Sequence, residues 1–470
     1  MGPSFTNIVQ DPAVRKLVQD GIIARKFFDG LFPSLLYINE FEGNDETFGD
    51  QEGDTKIFTG KGLIKPSTRP RKPGEDLRLR QLNYEQWLVS IQKHGEAIDS
   101  DMPTSTTAAA SLFLSNGHSI GLQAGQSMNL LARNALFNAA LAGHTVADGA
   151  VNNGTTLRVK RLNGFTTARR PDLAAGSPVQ YASVSATNPL QITIKNGGGD
   201  IAANVIGFSP DLPGDEIGPG TLTLSAAVTC SDRDPVVAID RTYLVRSGGG
   251  YSIDSIGSND LLKLSDVRTM IAHMRDNNVP NFPDGYFHGH IDSTGESQIQ
   301  SDTEWRTLFT ALPNDFRFAQ FAVGRAAGVT FLRNSQSPRP DTVDGGSSAT
   351  YSEDDNFGGE VYAGGTTGGV KVRRCLIVGY GAMQRWTKDS GGEVTEAGIT
   401  GKRATWNIDN NGITINTDRI DMVIRAPLDR AQEVVSTGWK WMGGFVVRPD
   451  GATGDACRFK RTGTIEFGEA

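Results

Sequence analysis

MRDNNVPNFPDGYFHGHIDS, residues 274–293, decides how the second half of this chain is read. It begins in the last turn of a periodic segment. Within 265–276, Val267, Met270, Ile271 and Met274 repeat at i, i+3, i+4 and i+7, which predicts a helix that Ser265 is placed to cap. Pro280, Pro283 and the Asp284–Gly285 pair then impose a turn. GYFHGHID follows, and as a strand it carries His288, His290 and Asp292 on one face, because strand side chains alternate. Beyond it, Ser301 and Glu304 have the spacing of a capping box for SDTEWRTLFTAL, residues 301–312.

Two imidazoles and a carboxylate at alternate positions are the start of a zinc site, and hence of a metal-dependent hydrolase on the His288/His290/Asp292 face. The spacing resembles the HxHxDH motif of metallo-β-lactamase-type hydrolases, but Ser293 stands where that motif has its next histidine. No histidine occurs after His290, and His94, His118, His144 and His273 sit at no ligand spacing. A half-buried strand with polar residues on one face accounts for the stretch without a metal. Another partial motif, CLIVGYGAMQRW (375–386), begins a dinucleotide fingerprint with Gly379 and Gly381 and has Gln384 in place of the third glycine. No phosphate loop and no nucleophile elbow occur. The residues therefore give no catalytic, metal or cofactor site.

The totals agree with a non-catalytic chain. Its 470 residues imply two to four domains or one elaborated architecture. Hydrophobic residues make up 38% and charged residues 21%, with a net charge of −7, which fits a soluble, mildly acidic protein and gives no footprint of a nucleic-acid reader. Cys230, Cys375 and Cys457 are odd in number and far apart, so a disulfide scaffold is not expected and a reducing compartment is. No apolar run has the length of a membrane span, and the first residues lack a secretory signal, which predicts folding in a cytoplasm. Glycine, 56 residues in all, concentrates in polar stretches that read as long surface loops.

Moving towards the N-terminus, residues 11–29 form a short amphipathic helix opened by Asp11 and Pro12. Residues 40–54 then hold seven acidic side chains and no basic one, whereas residues 61–80 hold seven basic and two acidic. TKIFTG (55–60) and YEQWLVSIQ (84–92) read as strands, and Pro66, Pro70, Pro73 and Gly74 mark a tip between them. The result is a long β-hairpin with a basic, proline-rich tip, and since a two-stranded ribbon is marginal alone in water, it must rest on another surface. Residues 104–143 are the longest helical segment, with Gly117, Gly121 and Gly125 on one face, read either as close approach of a neighbouring backbone or as a weak stretch of helix. Residues 151–253 switch to short strand-like runs, predicting a small β-barrel or sandwich. Later strands, in 370–383, 413–426 and 438–448, belong to a mixed α+β domain.

This order of parts resembles the major capsid proteins of tailed bacteriophages, which have the Hong Kong 97-type fold, and among them the coat proteins of N4-like podoviruses. The matching stretches are GDTKIF (53–58), MRDNNVPNFPDGYFHGHIDS followed by SDTEWRTL, AVGRAAGVTFLRNS (322–335) and APLDRAQEVVSTGWKWMGGFVV (426–447). They cover residues 265–335 and 425–447 most specifically. The resemblance implies an α+β fold with an N-terminal arm (1–39), an E-loop hairpin (40–102), a peripheral domain with a spine helix (103–150), an inserted β-rich domain (151–253) and an axial domain with returning peripheral strands (254–470). It implies a non-enzymatic protein, without cofactors, that assembles with itself into hexamers and pentamers of an icosahedral virion shell around double-stranded DNA. Assembly would take place in a bacterial cytoplasm, away from membranes, with portal, scaffolding and decoration proteins as further partners. An encapsulin-like compartment has the same fold and is the alternative, with the metal-dependent hydrolase second. The candidate inter-subunit contact pairs the basic tip, Lys65, Arg69, Arg71 and Lys72, with an acidic surface including Glu40, Glu42, Asp45 or Glu46 of a neighbour.

Overall fold

In the computed structural model, the structure describes residues 37, 40, 45–48, 53–61, 68–77, 84–101, 112–170, 180–250, 253–311, 324–333, 372–388, 393–396, 399–402, 405–409, 412–417, 420–425, 434–450 and 460–469. The fold is α+β and mostly sheet. The chain divides into two compact units. One holds residues 1–56, 88–133 and 383–446, the other residues 57–87, 134–382 and 447–470.

The long helical segment becomes α1, Leu112–Ala140. Ile120, Ala124, Met128, Ala132, Leu136 and Ala140 recur every four residues along it, and all six are fully buried, which is the continuous apolar stripe that a long helix needs to hold its place. No helix among the described residues is long and apolar enough to cross a membrane. In the first unit a seven-stranded sheet is built around Val434–Val447, which pairs with Ile420–Arg425 and, over ten residues, antiparallel with Gln92–Asp101. The N-terminal part of α1 meets this sheet through polar contacts. Trp439 Nε1 donates to Gln123 Oε1 (3.0 Å) and Asn116 Nδ2 to Ser100 Oγ (2.7 Å). At Gly117 a Cβ would lie 3.8 Å from the Met422 methyl, an ordinary contact, so no backbone approaches closely there.

In the second unit the short strands of the middle region form one antiparallel sheet, in the order His144–Val146, Pro235–Ala238, Leu190–Asn196, Gly199–Pro210, Gly220–Cys230, Val151–Val159. The two ends meet. Ala147 bridges Val159, Asp148 N–H donates to the Arg158 carbonyl (2.9 Å) and Lys160 N–H to the Val146 carbonyl (3.2 Å). The sheet is therefore a closed six-stranded barrel, and its first strand begins at His144. Leu157, Val159, Phe165, Ile194, Val205, Leu222 and Val236 are fully buried in a common core, so the barrel is packed with side chains and is not a ligand cavity.

The other six-stranded sheet of this unit is mixed, in the order Tyr243–Arg246, Thr462–Gly468, Val372–Val378, Phe287–Ile291, Val329–Arg333, Arg325–Ala326. α2 (Leu264–Asp276) packs Val267, Met270, Ile271 and Met274 into its core, the stripe read from the sequence. Two further helices are α3 (Ser293–Ser301) and α4 (Thr303–Ala311).

The helix caps differ from the sequence reading. Ser265 lies inside the first turn of α2, and Lys263 holds the cap position, its N–H accepted by the Asp266 carboxylate at 3.2 Å. Ser301 opens nothing, because STGESQIQS is itself helical. Ser301 closes α3 and donates to the Ser297 carbonyl (2.8 Å). Asp302 caps α4 in its place, Oδ1 accepting the Glu304 N–H (3.3 Å), while its Oδ2 accepts the Leu264 N–H (3.0 Å) at the start of α2. A carboxylate with two oxygens serves two helix starts at once, which a serine hydroxyl does not.

Candidate functional site

The strands Thr55–Lys61 and Tyr84–Ser90 pair as the hairpin foreseen from their β-branched and aromatic composition. At its tip, Lys72–Pro73–Gly74–Glu75 is a tight turn. Pro73 supplies the fixed φ of its second position, Gly74 takes φ +83° at the third, and the Glu75 N–H donates to the Lys72 carbonyl (3.1 Å). This is the type II turn, which requires a positive φ that glycine adopts without strain. Glu75 organises the cations around it. Its Oε2 accepts the Lys72 N–H (3.1 Å), its Oε1 lies 3.5 Å from Arg69 Nη2, and its carbonyl accepts Arg71 Nε (3.1 Å). The tip is thus less cationic than its basic residues alone indicate, with Arg69, Arg71 and Lys72 set against Glu75 and Asp76. The exposed ion pair contributes at most about 1 kcal/mol; its effect is to fix where the cations point.

The ribbon is two-faced. Phe58, Glu85 and Trp87 are buried, whereas Ile57 is 58% exposed; along Tyr84–Ser90 the alternation continues to Leu88, 63% exposed. On the buried face the Phe58 and Trp87 rings stack at 6.3 Å, and the Arg448 guanidinium lies over Trp87 at 5.0 Å from the ring centroid. Gly60 makes room for it, since a Cβ there would fall 1.8 Å from Arg448 Nη2. Arg448 in turn faces Asp450 (Nε to Oδ1, 3.7 Å), which Arg461 also reaches (Nε to Oδ2, 3.2 Å). Burial pushes the Asp450 carboxyl up, against the pull of Arg461 and Arg448. Nearby, Lys460 Nζ donates to the Asp240 carbonyl (2.7 Å), and burial pulls its ammonium down. The ribbon therefore rests on a cation–π contact backed by an ionic cluster.

Of the residues proposed for an inter-subunit contact, Arg69, Arg71 and Lys72 are exposed at the tip. Lys65 and Glu42 lie outside the described residues, and Asp45 and Glu46 are placed only as backbone in the strand Asp45–Phe48. Glu40 is fully buried.

The histidine stretch is the strand Phe287–Ile291, paired parallel with Val329–Arg333 and antiparallel with Val372–Val378. His290 is fully buried, and His288 stacks on Phe282 at 3.7 Å and lies 3.9 Å from Asp284. Asp292 is committed to structure, with Oδ1 capping α3 through the Gly295 N–H (2.8 Å) and Oδ2 accepting Arg373 Nη1 (3.3 Å). Among the described residues no group of three or more His, Cys, Asp or Glu side chains is placed to hold a metal ion. After Gly379 and Gly381 the chain enters the strand Met383–Lys388, where a dinucleotide site would need a helix N-terminus.

A buried ionic triad escaped the sequence reading. Glu466, 2% exposed in the strand Thr462–Gly468, accepts Arg374 Nε on Oε1 (3.0 Å) and Arg246 Nε on Oε2 (2.9 Å). Burial alone would raise its carboxyl, but the two guanidiniums prevail and hold it below the usual range. Its partners lie 92 and 220 positions away, so no local spacing announces it.

No family model matches the chain, and no curated protein matches it. Solved structures to which it is similar include the cyanophage Pam1 capsid asymmetric unit, with a TM-score of 0.47 and 11% identity over 92% of this chain and 92% of that one. The head structure of Helicobacter pylori bacteriophage KHP40 matches with a TM-score of 0.45 and 8% identity, over 90% of this chain and 88% of that one. The capsid of Ralstonia phage GP4 matches with a TM-score of 0.44 and 12% identity, over 90% and 86%.

Proposed function

We propose that this chain is a bacteriophage coat protein of the Hong Kong 97-type fold, akin to those of N4-like podoviruses, that assembles with itself into the hexamers and pentamers of an icosahedral shell around double-stranded DNA. The observation that carries this reading is the two-faced hairpin. The buried face of the ribbon is used within its own chain, while on the other face, where Gln86 is tied back, Ile57 and Leu88 stay exposed together with the cationic tip, the combination expected of an arm that meets another copy. Each such contact is modest, and closed symmetric assembly turns many of them into a stable container through effective concentration. The net charge of −7 suits a container whose wall must not bind packaged phosphate tightly. Portal, scaffolding and decoration proteins are the further partners this reading entails, and the host cytoplasm is its place of assembly.

Electron microscopy of the purified full chain tests the reading. Icosahedral particles, or hexameric and pentameric capsomers, are expected, and a persistent monomer at high concentration would overturn it. The tip contact with an acidic surface of a neighbour has its own test in the charge reversal Arg69→Glu/Arg71→Glu/Lys72→Glu. Assembly yield should drop and lose its salt dependence; unchanged yield and salt sensitivity would remove the tip from the interface.

A further inference from the structure

A small ribbon, Thr167–Arg169 paired with Tyr181–Ser183, is seated on the barrel of the second unit. Ala168 and Val184 belong to the barrel core, and the Val184 N–H donates to the Thr166 carbonyl at 2.9 Å. The buried Asn188 amide donates to the Ala168 carbonyl (3.1 Å) and the Ala182 carbonyl (3.2 Å), crossing both strands. A short two-stranded ribbon would fray alone in water; here it is fixed from beneath.

Two side chains at its end reach the hairpin strand Tyr84–Ser90. Gln180 Nε2 donates to Gln86 Oε1 (2.9 Å) and the Tyr181 hydroxyl to Glu85 Oε1 (3.3 Å). Gln86 passes the contact on, its Nε2 donating to Thr59 Oγ1 (3.4 Å) on the opposite hairpin strand. Both strands of the hairpin are thus tied to the barrel through one row of side chains. Glu85 is only 4% exposed, so the Tyr181 hydroxyl supplies a hydrogen bond to a carboxylate that has little access to water. Burial and the charge of Glu85 keep that hydroxyl protonated, as its donor role requires.

We propose that this ribbon is a latch: the barrel fixes the direction of the hairpin through Gln180 and Tyr181, and releasing the latch loosens the hairpin on its remaining Arg448–Trp87 seat while the barrel stays folded. The latch gives the barrel a task in assembly, because the element that meets another copy is oriented by it. That consequence rests on the shell reading, whereas the latch itself does not.

The experiment is hydrogen exchange, read by mass spectrometry on the dispersed full chain, comparing the native sequence with Tyr181→Phe/Gln180→Ala. Loss of both hydrogen bonds should raise amide exchange in Thr55–Lys61 and Tyr84–Ser90 by about tenfold or more. Exchange in the barrel strands Leu190–Asn196 and Gly220–Cys230 should stay unchanged. Trypsin cleavage after Arg71, the tip cation not followed by a proline, should accelerate in parallel. Unchanged hairpin exchange, or a rise shared equally by the barrel strands, would overturn the latch. Because dispersed chains are measured, a latch without particles and particles without a latch are separate outcomes.

Discussion

Glu466→Gln tests the packing of the second unit at its most costly point. The substitution keeps shape and one acceptor oxygen but removes the charge that faces Arg374 at 3.0 Å and Arg246 at 2.9 Å. Arg374 and Glu466 are almost wholly buried, so water cannot replace what is lost. Removing one partner from a buried ion pair costs about 3–5 kcal/mol, because the other charge stays behind. Arg246 is partly exposed, which favours the lower end of that range. At 2–4 °C per kcal/mol for a domain of this size, the melting temperature should fall by roughly 10 °C. The assay is calorimetry of the dispersed chain from pH 7 to pH 3. Since the folded carboxyl titrates below its unfolded value of about 4.3, the native sequence holds its advantage above that pH. The advantage is lost as pH falls through the lower, folded value, so the two curves should converge in acid. A loss under about 1 kcal/mol at pH 7, the range of an exposed pair, or a gap that persists unchanged to pH 3, would refute the reasoning.

Two further outcomes can be checked on the same preparation. Asp302→Ala should destabilise by about 1–2 kcal/mol in chemical denaturation, since it strips caps from α2 and α4, whereas Ser301→Ala should change little; the reverse order would restore Ser301 as the cap. His144, whose Nε2 lies 2.7 Å from the Thr242 carbonyl oxygen, is pulled down to about 4 by burial. The unfolded chain therefore binds this proton at higher pH, near 6.5, and stability should fall as pH drops from there towards 4. His144→Gln should flatten that part of the pH–melting curve, and identical slopes would count against it.

What could be read in the sequence was what period and local chemistry encode. The stripe of α2 was legible because burial repeats at helical spacing, and the hairpin strands because Ile57, Phe58, Trp87 and Val89 suit a pleated surface. The turn at Pro73–Gly74 was legible too, but the role of Glu75 one residue later was not drawn from it, although it sits at the position that closes such a turn. α3 was missed because STGESQIQS has a weak apolar stripe and a glycine in its first turn. Its one local signal was Asp292, three residues ahead of the Gly295 N–H it caps. The contacts that define the hairpin's seat, Arg448 on Trp87 and Tyr181 on Glu85, join residues far apart in sequence. They leave no spacing to detect, only a buried glutamate and a glycine in a strand.

The barrel's closure at Ala147 and Val159 bears on what happens when many copies are made at once. An open sheet displays a row of unpaired backbone groups that any other strand can template upon. Where the cylinder closes, between Val146–Asp148 and Arg158–Lys160, that row is paired off. What touches the wall there meets side chains, so such contacts can be strengthened or weakened one substitution at a time, with less invitation to strand exchange at high concentration.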